Sequence, residues 1–288
     1  MSIWDVNYKE GIRSAWTANP IIQQVVNQRM TGQDKHWLNW FFEDHLKKKP
    51  KRLLSVGCGD GAHELIIAEK GYAESIDAFD ASEVGIASAK AKAVEKGLRN
   101  INLFLSTFEQ FIQSPPPSLY DLVMFSGSLH HVREIEAMLK TTKDILIRPH
   151  GVMVLNEYIG PCYNIYDERR LQIINDVLNS IAAEFKISPH TQLRSPTIET
   201  VYAADPTESV RSSLIMQFVD FYFDFRFKHY FGGALLHPIF DHLDSKRLSD
   251  GSAESQTIVN MLVTLEKMLI EAGSLPHDFC FAVCTPRD

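Results

Sequence analysis

The stretch Ser55-Val56-Gly57-Cys58-Gly59-Asp60-Gly61 decides the fold. Ahead of it, Arg52-Leu53-Leu54 reads as a short buried strand, and behind it Ala62 to Ala68 reads as the first turns of a helix. Three closely spaced glycines between a strand and a helix let bare backbone N–H groups approach a ligand. At the head of an alternating strand–helix pattern, such a turn predicts a nucleotide- or nucleoside-binding α/β domain. Gly57, Gly59 and Ala62 also satisfy the dinucleotide pattern G-x-G-x-x-[G/A], so a nicotinamide or flavin cofactor fits the spacing too.

Asp60 separates these ligands. A pyrophosphate prefers a helix N-terminus free of competing anions, and a carboxylate inside the loop repels it. A ligand with an ammonium and a sulfonium but no phosphate tolerates that charge, and S-adenosylmethionine is such a ligand. The loop resembles the first motif of the class I S-adenosylmethionine-dependent methyltransferases, an acidic-flanked G-x-G-x-G. The resemblance assigns Gly57, Cys58, Gly59, Asp60 and Gly61 to the cofactor, with Cys58 as a small filler. Without the ligand, Asp60 would act only as a first-turn acid on the helix dipole.

The second strand, Ala73 to Asp80, ends in an acid where a ribose diol can be gripped by two hydrogen bonds. Asp77 and Asp80 both qualify by distance. Phe79-Asp80-Ala81-Ser82 resembles the D-x-S signature of the family, which selects Asp80 and Ala81 and leaves Ser82 as a helix capper. After a third strand, Ile101 to Leu105, the family commonly places an Asp that accepts from the adenine amino group. Thr107 stands there instead, with Phe108 as an apolar wall beside the ring.

Tyr120 to Phe125 reads as a fourth strand buried on both faces. It runs into Ser126-Gly127-Ser128-Leu129-His130-His131-Val132, which resembles the family's fourth motif. That likeness places Ser126 and Gly127 beside the methionine moiety. His130 and His131 follow at the carboxyl edge of the sheet, where open parallel sheets carry their chemistry. A helix from Glu134 to Ile147 and a fifth strand, Val152 to Tyr158, come next. Attack by a hydroxyl benefits from a base near neutral pKa, so His130 and His131 are the candidate bases. His237, Glu157 and Tyr158 lie on segments facing the same edge. No metal is expected, because Asn156 and Glu157 alone are not a ligand set and the four cysteines show no zinc spacing.

Composition narrows the partners. The chain has 288 residues, 45% hydrophobic and 23% charged, within the range of one large globular domain with an added lobe. A net charge of −7 argues against a nucleic-acid substrate, which needs a basic face. The run Lys47-Lys48-Lys49-Pro50-Lys51-Arg52 enters the first strand at the edge opposite the ligand. The first residues lack a basic region followed by an apolar run, and no segment is apolar over a bilayer-spanning length, so a cytoplasmic protein is expected. A monomer or homodimer is expected.

Four stretches follow from the patterning. Residues 1–50 read as a helical cap, with Trp16, Asn19 and Trp37 as pocket lids. Residues 51–160 are the cofactor-binding core, and 161–220 a helical insertion forming the acceptor pocket. Residues 221–288 return to the sheet with two strands, Tyr222 to Tyr230 and Phe279 to Cys284. Asp205-Pro206-Thr207-Glu208 reads as the capping box of another helix. The resemblance implies a Rossmann-like α/β fold: seven strands, mostly parallel, the last antiparallel, with helices on both faces. The termini and lobe look like those of bacterial methyltransferases of mostly unassigned substrate. The expected activity is methyl transfer to a hydroxyl or amine of a small molecule. An NAD(P)-dependent oxidoreductase and a non-catalytic S-adenosylmethionine-binding protein are the alternatives.

Overall fold

A computed structural model describes residues 16–288, so the first fifteen residues of the expected cap lie outside the described residues. Strands β1 (Arg52–Val56), β2 (Ser75–Asp80), β3 (Ile101–Leu105), β4 (Leu122–Ser126) and β5 (Val152–Tyr158) pair in parallel. β7 (Phe279–Pro286) inserts antiparallel between β5 and β6 (Phe223–Gly232). The seven-stranded order is β3-β2-β1-β4-β5-β7-β6, the Rossmann-like arrangement expected from the motifs.

Side chains along the central strands alternate between two apolar clusters, one on each face of the sheet. Leu53, Leu122 and Met124 enter one cluster, and Leu54, Val56, Val123 and Phe125 the other, all fully buried. Strands covered by helices on both sides need such near-continuous apolar runs. Each of these side chains contributes about 1.5–3 kcal/mol on burial. A slip of one residue would exchange the two faces, so the packing holds the register.

Besides the short cap turns Trp37–Trp40 and Phe41–His45, the helices among the described residues are α1 (Pro20–Thr31), α2 (Ala62–Glu69), α3 (Glu83–Glu95), α4 (Phe108–Gln113), α5 (Ile135–Ile145), α6 (Glu168–Ser180), α7 (Ile198–Ala204), α8 (Ile215–Tyr222), α9 (Leu236–Phe240) and α10 (Ala253–Glu271). Local chemistry sets several of their ends. Asn19 caps α1 ahead of Pro20, and Gly32 closes that helix in the left-handed conformation. Ser82 caps α3, and Thr107 with Gln110 forms a capping box on α4.

Helix α1 packs on β6 and α10. Arg29 of α1 pairs with Glu266 of α10 at 2.6 Å. The other Glu266 oxygen accepts from the backbone N–H groups of Gly233, Leu235 and Leu236, at 2.9, 3.1 and 3.0 Å. One buried carboxylate therefore ties the cap to the start of α9. The insertion is anchored in a similar way. Arg170 of α6 donates to Asp278, just before β7, at 3.2 Å and to the Ala234 carbonyl at 2.8 Å.

One expected helix is missing from its place. Asp205-Pro206-Thr207-Glu208 forms a run of turns rather than a capped helix. Asp205 accepts from the Thr207 N–H and hydroxyl at 2.8 and 2.7 Å, folding the side chain over its own backbone. Ser209 then adopts a φ of 49°, which ends any helical path. The helix begins later, at Ile215.

Candidate active site

The glycine loop turns sharply because its backbone is left-handed at Gly57, with φ of 70°. A Cβ there would lie 2.6 Å from the Ser128 Cβ and 3.2 Å from the Phe108 ring, so only glycine fits the cradle. Gly61 has a second reason to be glycine, since its Cβ would meet the Ala89 Cβ at 2.9 Å where α2 approaches α3. Asp80 closes the loop from β2. Its two oxygens accept from the Gly59 and Ser82 N–H groups, each at 2.8 Å. Asp80 thus stands at the strand edge beside the glycine turn, where the sequence predicts a ribose-binding acid. A cradle that admits no side chain, with a carboxylate at its strand edge, fits an adenosyl ligand.

Other residues expected at the cofactor have structural duties as well. The Thr107 hydroxyl oxygen accepts from the Gln110 N–H at 3.2 Å as the cap of α4. Phe108 stands over the loop, and its ring meets Phe79 edge-on at 6.3 Å. Asp60 pairs with the half-exposed Lys92 of α3 at 2.8 Å, so its charge is partly neutralised in the folded chain. Asp60 therefore repels a pyrophosphate less in the folded chain than a lone carboxylate would. Burial, with the charges of Glu64 and Asp80, pushes the Cys58 thiol far above its ordinary value, which makes it a filler. Ala81 follows Asp80 at the exit of β2.

Sequence reasoning missed Glu64. It lies buried in the first turn of α2 and accepts from the Ser55 hydroxyl at 2.6 Å. Burial first, and then the charges of Asp60 and Asp80, raise its carboxyl to about 7. Its signal was present: an acid on the first helical turn with a hydroxyl on the preceding strand.

The second half of the site is organised by Glu157 at the end of β5. One of its oxygens accepts from the Ser128 and Leu129 N–H groups at 2.7 and 2.8 Å. The other lies 2.8 Å from Nδ1 of His130. The Ser128 hydroxyl donates to the Val56 carbonyl at 2.6 Å, linking this loop to the end of β1. Burial alone would lower the His130 pKa, but the hydrogen bond and charge of Glu157 raise it above the ordinary value. Burial and the neighbouring His130 lower His131 to about 4.

A cavity of about 560 Å³ opens beside this loop. Ser126, Gly127, His130, Asn156 and Tyr158 line its sheet side. Trp16 and Trp37 cover it from the cap as expected, whereas Asn19 does not line it. Asn19 instead caps α1 and donates to the Leu248 carbonyl at 3.0 Å, a purely structural duty. No Lys or Arg is among the described residues that line it. His237 lies just behind, buried against Trp16, Tyr158 and Phe279, and burial lowers it to about 4. Glu208, which the sequence reading took only as part of a helix cap, comes from the insertion to the outer side of the histidine pair.

Among the described residues no helix is long and apolar enough to cross a membrane. A family model described as a methyltransferase domain matches residues 28–195. The chain is 35% identical over 102 residues to the aklanonic acid methyltransferase DauC of Streptomyces sp. (strain C5), covering 35% of this chain and 44% of that protein. It is 27% identical over 139 residues to a ubiquinone biosynthesis O-methyltransferase of Rickettsia akari (strain Hartford), covering 48% of each. The chain thus spans about half the length of these curated relatives, or less. An O-methyltransferase from a trans-AT PKS multienzyme of Brevibacillus brevis, solved with S-adenosyl-L-homocysteine, shares the fold. Its TM-score is 0.50 at 12% identity, over 96% of this chain and 80% of that one. The family match extends over more than half of the sequence and takes in the glycine loop, Asp80 and the Glu157–His130 pair; the chain belongs to the class I S-adenosylmethionine-dependent methyltransferases.

Proposed function

We propose that the protein methylates a hydroxyl of a small molecule, with His130 taking the proton. The observation that carries this reading is the pair formed by buried Glu157 and the half-buried His130 at the rim between the Gly127 turn and the cavity. When bound, S-adenosylmethionine supplies a methyl group already activated on a sulfonium. The chain has to hold the two partners in line, exclude water and accept one proton. Asp80 and the loop from Gly57 to Gly61, with Ala81, Thr107, Phe108, Ser126 and Gly127, hold the cofactor. Trp16, Trp37 and Tyr158 keep water from the reacting atoms.

Glu157 accepts the Nδ1–H of His130, and that tautomer leaves the Nε2 lone pair as the base. His131, held lower in pKa, supports the turn rather than the proton transfer. The cap (residues 1–50) lines the acceptor pocket on the core (51–160) through Trp16 and Trp37; residues 221–288 complete the sheet and add Phe231 and Phe279, and the insertion (161–220) reaches the site through Glu208. The names of the relatives favour a small acceptor, and the ubiquinone-pathway relative favours oxygen as the attacking atom. Calorimetry with S-adenosylmethionine, S-adenosylhomocysteine and NAD tests the first step. Binding of the first two without NAD is expected, and NAD binding alone would overturn the reading. Transfer of a labelled methyl group to a panel of hydroxyl and amine acceptors then tests the second step.

A further inference from the structure

The short turn Leu129–His131 brings two imidazoles together, and the insertion delivers a carboxylate to them. The rings of His130 and His131 lie 4.1 Å apart, centre to centre. Ligand-capable atoms of His130, His131 and Glu208 all fall within 4.8 Å of one another. Each group is oriented from outside by its own partner. Glu157 holds Nδ1 of His130. The Thr207 carbonyl lies 3.3 Å from Nδ1 of His131, with the Thr207 hydroxyl at 3.4 Å. Asn164 and the Ser209 hydroxyl donate to one oxygen of Glu208 at 3.2 and 2.6 Å. The other Glu208 oxygen faces Nε2 of His131 at 3.9 Å.

A carboxylate or carbonyl on the second ring nitrogen is the arrangement that orients metal-ligating histidines. Around the cluster, Asp205 adds a carboxylate 3.8 Å from Nδ1 of His131. His237, half-buried as a residue, has a buried Nδ1 with no hydrogen-bond partner among the described residues, and its ring senses both Glu208 and His130. Two imidazoles with one carboxylate suit zinc, cobalt or nickel, not magnesium or calcium, which prefer oxygen ligands. Donors 2.0–2.1 Å from a tetrahedral ion stand about 3.4 Å apart. The donor atoms would therefore close by up to about 1.4 Å on loading, within the reach of small side-chain rotations.

We propose that His130, His131 and Glu208 form a binding site for a divalent cation of the zinc class, and that its occupancy blocks methyl transfer. The second clause rests on the function proposed above: the cation takes the same His130 lone pair that would accept the substrate's proton.

The test uses the full chain freed of metal with a chelator, then titrated with Co²⁺ and with Zn²⁺. A visible absorption band of low-symmetry Co²⁺ saturating at one equivalent is expected, displaced by Zn²⁺ and untouched by excess Mg²⁺. Glu208→Gln should weaken Co²⁺ binding at least tenfold, while its affinity for S-adenosylmethionine stays that of the parent. No stoichiometric Co²⁺ band in the parent protein would overturn the site without recourse to any variant. An equally tight site in the variant would also overturn it. Methyl transfer should continue in chelator and stop on adding Zn²⁺. Activity that requires the cation would leave the site standing but overturn its blocking role and the base assigned to His130. Failure to bind S-adenosylmethionine would bear on the proposed function alone.

Discussion

The two edges of this active site are built on different principles. The cofactor edge is a short backbone device, in which five consecutive residues and one carboxylate 21 positions ahead of Gly59 hold each other. The acceptor edge is assembled from the turn after β4, the end of β5, the cap and the last sheet segment, with Glu157 joining the first two. A backbone device leaves a compact trace in sequence, because steric need dictates glycine and spacing. An assembly of distant side chains leaves almost none. Losing a member of the first should cost binding, and losing a member of the second should cost turnover.

Glu157→Gln separates the two most sharply. The amide oxygen can still accept from Ser128 and Leu129, but its NH₂ would face Nδ1 of His130 and force the proton onto Nε2. We expect kcat to fall about 10³-fold, with affinity for S-adenosylmethionine changed less than threefold by calorimetry. Equal losses in both would show that the two edges are one cooperative unit.

Asp80→Ala should act the other way. It removes the acceptor for two backbone N–H groups and for the ribose diol, at about 1.5–3 kcal/mol per charged hydrogen bond. Affinity for S-adenosylmethionine should drop by at least about 100-fold. Unchanged affinity would move the ribose to another group, with Asp77 first in line. Asp77, however, is already engaged by Arg52, Asn102 and Tyr120.

Glu64 gives a smaller effect with a defined pH sign. Its carboxyl is raised to about 7 in the fold, so the folded chain holds a proton that the unfolded chain has released. The stability that this proton confers is present below the ordinary Glu value and is lost as pH rises through 7. Glu64→Gln should therefore gain on the parent between pH 5 and 8, by on the order of 2 kcal/mol. Denaturant midpoints that run parallel across that range would refute the assignment.

Lys92→Ala should do least. The Lys92 side chain is 41% exposed, and a surface pair of this kind contributes about 0.2–1 kcal/mol. A melting temperature within about 3 °C of the parent is expected. Any larger shift in cofactor affinity would show that the charge of Asp60 matters to the ligand.

The sequence by itself determined the glycine loop, an acid at the end of β2 and the alternation of buried strands with helices. Each follows from rules that act over a few residues: two-sided burial, positive φ, and a helix start after a strand. The choice of Asp80 over Asp77 and the antiparallel last strand came from the family resemblance. The turns at Asp205–Glu208 looked like a helix cap because the same side-chain oxygen that caps a helix can fold over its own backbone. Only the tertiary structure decided between them, through the left-handed Ser209. It alone gave Asn19 to the end of α1, paired Asp60 with Lys92, and set Glu208 beside two histidines more than seventy positions earlier. Such contacts close across the sheet edge only after both faces have packed, and no local spacing encodes them.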